Sequence, residues 1–132
     1  MRMLHSRGFK GAAWLCILLL AVLSLIPGHV QVRSGMPGGY EHAIAYFGTA
    51  TMFMLGYSRK NWEIAGGLAS YSVLLEMLQF LVPGRTPHIA DAFASSSGAI
   101  LGVIVWMILL EQKQMQSASP LVSRKKSDLD FR

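Results

Sequence analysis

Charge is scarce in this sequence. Asp, Glu, Lys and Arg make up 14% of its 132 residues, against about 25% in an ordinary soluble domain. What charge there is crowds into the N-terminus, two short loops and the tail. A soluble helical domain needs polar faces along its helices, so this pattern speaks against that class. Cysteine is nearly missing. Cys16 stands alone in an apolar run, so it forms no intrachain disulfide and reads as a core residue. Internal repeats are absent. So is any strong metal motif of the His-Glu-x-x-His kind: His88-x-x-Asp91 does not match one. No metal and no cofactor is expected. Ser95-Ser96-Ser97 lies outside any nucleophile-elbow pattern and reads as small residues for a tight helix contact.

Apolar residues are what the chain has in abundance, at 52%, with a mean hydropathy of +0.40. The fold class that follows is all-α: a polytopic membrane bundle of four transmembrane helices with short loops. Spans are expected at about residues 11–27, 40–57, 62–82 and 89–110. The first follows a basic start of Arg2, Arg7 and Lys10 and stops at Pro27-Gly28. That layout resembles a signal peptide. The run is long for one, and no small-x-small cleavage site stands near Pro27, so an uncleaved helix is expected. Residues 1–111 then form one domain. The polar tail, 112–132, has too little apolar surface to pack and is expected to be disordered.

Positive charge orients the spans. Ten of the twelve Lys and Arg fall in the N-terminus, the 58–61 loop and the tail, leaving Arg33 and Arg85 on the other side. Both termini are therefore expected in the cytoplasm of a multi-pass cell-membrane protein. The formal charge of +5 reads as topology rather than nucleic-acid binding. Trp14, Trp62 and Trp106 fall near the expected cytoplasmic ends, as interface anchors do.

The polar residues of the spans gather on the opposite side. Glu41 and His42 open the second helix, and Glu76 and Gln79 lie late in the third. Arg85 and His88 are in the following loop, and Asp91 opens the fourth. Glu76 is placed about 9 Å below the end of its helix, at 1.5 Å per residue. A buried charge costs about 2.5–3.5 kcal/mol at a span centre and less near the interface, so protonation, a partner or a watery cleft must offset it. Helical spacing adds a stripe to each element. Ala65, Ala69, Ser72, Glu76 and Gln79 share a face, as do Asp91, Ser95, Gly98 and Gly102, and also His42, Tyr46 and Thr49. Ala90, Ala94, Gly98 and Gly102 leave a bare face for close approach of another helix.

Each residue has two readings. Glu76 and Gln79 could be a proton-handling acid with its orienting amide, or interhelical glue. Arg85 could bind a phosphate or carboxylate, or pair with Glu76 or Asp91. Asp91 could serve the site or cap its helix.

Glu76-x-x-Gln79, Val82-Pro83-Gly84-Arg85 and Asp91, followed by Gly98 and Gly102, resemble the signature of the VanZ-like family. His42-Ala43-Ile44-Ala45-Tyr46 is similar to that family's His-x-x-Ala-Tyr element. The resemblance covers about residues 38–106. It implies an integral membrane protein of the cell envelope, in a family named after a protein associated with teicoplanin resistance. Where many members carry Asp-Lys, this chain has Gly38-Gly39, with Glu41 directly before His42.

The candidate catalytic residues are Glu76, Asp91 and His42, and the candidate binding residues are Glu41, Tyr46, Gln79, Arg85 and His88. The first expectation is a non-enzymatic envelope role, binding or guarding an envelope component or a partner membrane protein. The second is a membrane-embedded enzyme acting on a lipid headgroup or lipid-linked cell-wall precursor, with Glu76 as general acid or base. The third is a proton-coupled carrier assembled from several copies. The lipid bilayer is the one partner common to all, and the oligomeric state is open.

Overall fold

The computed structural model of the chain describes residues 2–27, 35, 38–57 and 61–130, with the helix alone described over 2–6 and 117–130. Arg33 and the loop basic residues Arg59 and Lys60 lie outside the described residues. The chain is all-α. Its helices are α1 (Arg2–Leu25), α2 (Gly38–Gly56), α3 (Asn61–Gln79) and α4 (Ile89–Asp130). They alternate in direction. The ends of α1 and α3 meet through Ser24 and Gln79, and the starts of α2 and α4 meet at Gly38 and Asp91.

Glycine sets the tightest contact. A Cβ on Gly98 would overlap the carbonyl oxygen of Ala43 and lie 2.8 Å from its carbonyl carbon. One on Gly102 would lie 2.8 Å from the Phe47 carbonyl oxygen and 2.9 Å from the Ala50 Cβ. The backbones of α2 and α4 run side by side because neither position carries a side chain. The bare face begins later than its spacing suggests, since Ala90 is exposed. Around this pair a small core forms from Tyr46, Ala50, Met54, Ala65, Leu68, Ala99 and Val103. Hydroxyls within the apolar helices bond back to their own carbonyls: Thr49 to Ala45 at 2.8 Å, Thr51 to Phe47 at 2.9 Å, Ser72 to Ala69 at 2.8 Å. That satisfies them without water.

The outward surface is apolar. Arg7–Leu25 and Ile89–Gln116 are long and apolar enough to cross a membrane, yet only 11% and 28% of their windows are buried. A core helix of a soluble protein would be mostly covered. Trp14, Leu18 and Leu23 on α1, and Leu101, Val105 and Ile108 on α4, all stand exposed. Such a surface matches a lipid solvent. α2 and α3, at 19 residues each, are about 28 Å long at 1.5 Å per residue, close to a hydrocarbon core of about 30 Å.

Three boundaries differ from the sequence reading. α1 starts inside the basic segment, at Arg2. α3 ends at Gln79 rather than Val82. There Phe80, Leu81 and Val82 each bond three residues back, to Met77, Leu78 and Gln79, so the chain tightens into 3₁₀-type turns before Pro83. Gly84 then takes a positive φ of 75°, open to glycine at little cost. α4 runs on to Asp130, past the expected end near Leu110 and into the segment expected to be disordered. Residues 111–116 are all exposed, so local backbone bonds and good helix formers such as Glu, Gln, Lys and Met sustain that stretch, not packing.

At the end where α1 starts and α2 finishes, aromatic and basic groups cluster. Trp14 Nε1 donates to the Tyr57 hydroxyl at 3.1 Å, and Lys10 Nζ sits 4.9 Å over the Tyr57 ring. Such a belt is usual at a membrane–water boundary.

Candidate functional site: a polar cavity at one end of the bundle

The opposite end of the bundle holds a cavity of about 370 Å³, within the range of ligand pockets, about 300–1,000 Å³. All four helices reach it. α1 supplies Leu20, Leu23 and Ser24, α2 supplies Glu41, His42 and Tyr46, α3 supplies Ser72 and Glu76, and α4 supplies Ser95. Arg85 closes it from the loop. Five of the eight sequence candidates therefore line one cavity: Glu41, His42, Tyr46, Glu76 and Arg85. The helical stripes explain why. His42 and Tyr46 are one turn apart, as are Ser72 and Glu76.

Among the described residues, Glu76 is the most buried carboxylate, with 9% of its surface exposed. It lies only three residues from the end of α3, so helix depth alone does not bury it. The loop does. After the Gly84 turn the chain folds back, and the His88 backbone N–H donates to Glu76 Oε1. The carboxylate is thus pinned to the start of α4. His88 contributes main chain here, while its exposed ring meets the Thr86 hydroxyl at 3.3 Å.

Arg85 is anchored on α1. Its Nε donates to the Ile26 carbonyl at 3.2 Å and its Nη2 to the Leu23 carbonyl at 2.7 Å. Carbonyls of a last helical turn lack partners within the helix, and a cation there also complements the helix dipole. The sequence reading set Arg85 against Glu76 or Asp91; two of its guanidinium nitrogens donate to main-chain oxygens at the end of α1.

Gln79 is buried, 3% exposed, and its Nε2 donates to Ser24 Oγ at 2.6 Å. It acts at the back of the wall, joining α3 to α1. Asp91 stands apart from the cavity. It lies in the first turn of α4, and a Cβ on Gly39 would lie 3.8 Å from its Oδ1. Its carboxylate therefore faces the starts of both α2 and α4, where helix dipoles favour an anion. Ser24, Ser72 and Ser95 complete the polar lining, and Ser72 and Ser96 hydroxyls lie 3.3 Å apart. Ser24 was missed in the sequence reading. Its signal was a lone hydroxyl in an otherwise apolar run before Pro27. Among the described residues, no three His, Cys, Asp or Glu side chains gather as a metal site would need.

Helices with exposed apolar flanks, locked by glycine around a polar end cavity, define a small helical membrane protein with a ligand-sized site. A model of the VanZ/LLP1 family matches residues 40–110, more than half of the chain. The chain belongs to that family. No curated protein and no solved structure matches it.

Proposed function

We propose that this VanZ/LLP1 protein is a four-span envelope protein whose cavity binds the polar head of an envelope component without transforming it. Both termini lie in the cytoplasm, and the Arg85 turn faces outward, as the ten-to-two distribution of Lys and Arg favours. Residues 111–116, just past the bundle, are exposed and add no packing to it. The observation that carries the reading is the convergence of Glu41, His42, Tyr46, Glu76 and Arg85 on one cavity from three separate segments. Two of those groups are held rather than poised. Glu76 is held by the His88 N–H, and Arg85 donates to two carbonyls at the end of α1. A rigid polar pocket favours recognition.

Enzymatic action on a lipid headgroup or lipid-linked precursor is the second reading. It is favoured by Glu76 standing in a cavity with Tyr46, His42 and three serine hydroxyls, a setting in which a carboxylate can trade protons. Asp91, away from the cavity, takes no catalytic part in either reading. The link of the family name to glycopeptide resistance carries over as a proposal of the same rank.

The test is Glu76→Gln, which keeps shape and removes charge. Cells carrying the wild type, the variant or a deletion are compared by lipid and cell-wall precursor analysis and by teicoplanin sensitivity. Binding predicts unchanged precursor chemistry with altered sensitivity. A precursor accumulating equally in variant and deletion would favour the enzyme, and identical profiles and sensitivities throughout would refute both.

A further inference from the structure

Buried hydroxyls without protein partners point to the cavity's ligand. We propose that the head it receives is neutral and bears several hydroxyls, a sugar or polyol on an envelope component, and that Tyr46, Ser95 and Ser24 engage it. This rests on the binding function proposed above and names its ligand class.

Tyr46 and Ser95 line the cavity, and each is only 2% exposed. Neither hydroxyl has a hydrogen-bond partner among the described residues, although nearly all buried polar side chains have one. Ser24, also in the lining, is 8% exposed. Its oxygen accepts the Gln79 amide, and its own proton goes to no described residue. Elsewhere the bundle gives its hydroxyl protons to carbonyls. Thr49, Thr51 and Ser72 turn back to their own helices, and Tyr71 donates to Ile17 of α1 at 2.9 Å. Tyr46, Ser95 and Ser24 do not, so protons from α2, α4 and α1 remain to be donated around one space.

A hydroxyl oxygen also accepts, so the matching group does both. An ammonium only donates and a fully ionised phosphate only accepts; each suits Glu76 in one protonation state alone. A ligand hydroxyl donates to a carboxylate and accepts from a carboxylic acid. It therefore suits the Glu76 oxygen left over from the His88 N–H in either state. The match uses neither Glu41 nor Arg85. Water shares this hydrogen bonding, but Leu20, Leu23 and Leu75 in the same lining suit the C–H face of a sugar ring.

The full-length protein is placed in nanodiscs of a choline lipid, and its unfolding temperature is measured after adding a third component. The components are a glucosyl diacylglycerol, the same lipid with its sugar hydroxyls methylated, phosphatidic acid, phosphatidylethanolamine, and soluble methyl glucoside. The glucosyl lipid should stabilise and its methylated form should not. A shift with the soluble glucoside as well assigns the sugar itself; a shift with the glucosyl lipid alone assigns a sugar presented on a lipid. Tyr46→Phe and Ser95→Ala each remove a hydroxyl that bonds nothing in the chain, so neither should lower the unfolding temperature in choline lipid alone. Each should weaken glucosyl-lipid binding roughly two- to tenfold, the range of one neutral hydrogen bond. Comparing free with methylated sugar on the wild type tests the claim even where a variant does not fold. Equal shifts from the two overturn hydroxyl recognition. A shift with phosphatidic acid or phosphatidylethanolamine alone overturns it too, while leaving the cavity a binding site. No shift with any component overturns both, with water then the sole occupant.

Discussion

Gly98→Ala is the sharpest test of how the bundle is held. The new Cβ would overlap the Ala43 carbonyl oxygen and lie 2.8 Å from its carbonyl carbon and 2.9 Å from its Cα. All three are backbone atoms, so no side chain can swing aside. The overlap with the carbonyl oxygen is the tightest of the three, so α2 and α4 must part by roughly 1 Å. A gap of about 0.5–1 Å forfeits a quarter to a half of each dispersion contact. Overpacking costs about 1–3 kcal/mol, and backbone rigidity places this case at the upper end. Alanine returns about 1 kcal/mol of helix propensity. The net loss expected is about 2 kcal/mol. Gly67→Ala is the control, since nothing lies within 4 Å of its Cβ position; it should be neutral or up to about 1 kcal/mol more stable. Equilibrium unfolding in mixed micelles, followed by tryptophan fluorescence and circular dichroism, measures both. Equal midpoints for the two variants would refute the close helix approach.

Arg85→Gln removes two charge-assisted bonds and should cost about 1.5–3 kcal/mol for each such bond exposed without replacement. Hydrogen exchange should quicken in the last turn of α1, and unchanged protection there would count against the anchor. Ser24→Ala and Gln79→Leu should couple by about 0.5–1.5 kcal/mol in a double-mutant cycle, because one buried hydrogen bond joins them; additivity would deny that bond. Gly39→Lys should gain about 0.2–1 kcal/mol from an ion pair with Asp91, and the gain should vanish on an Asp91→Asn background.

The sequence revealed side-chain patterns better than main-chain partnerships. Gly98 and Gly102 stood out because spacing by four repeats on a helix face, and the contact they make is one of backbone proximity. His42, Tyr46, Ser72 and Glu76 shared helical faces, and the bundle turned those faces toward one space. Arg85 was harder. Carboxylates are visible as letters, whereas every residue carries a carbonyl, so Leu23 and Ile26 gave no sign that they would receive its guanidinium. The burial of Glu76 was similarly assigned to helix depth. Its cause is the loop folding back after Gly84, a tertiary event that a helical count does not contain.

The family match begins at residue 40, yet one side of the cavity comes from Leu20, Leu23, Ser24 and Ile26. The first helix therefore walls the cavity from outside the matched segment. Substituting its cavity-facing side chains should reshape what fits inside, while the glycine contact between α2 and α4 involves none of them.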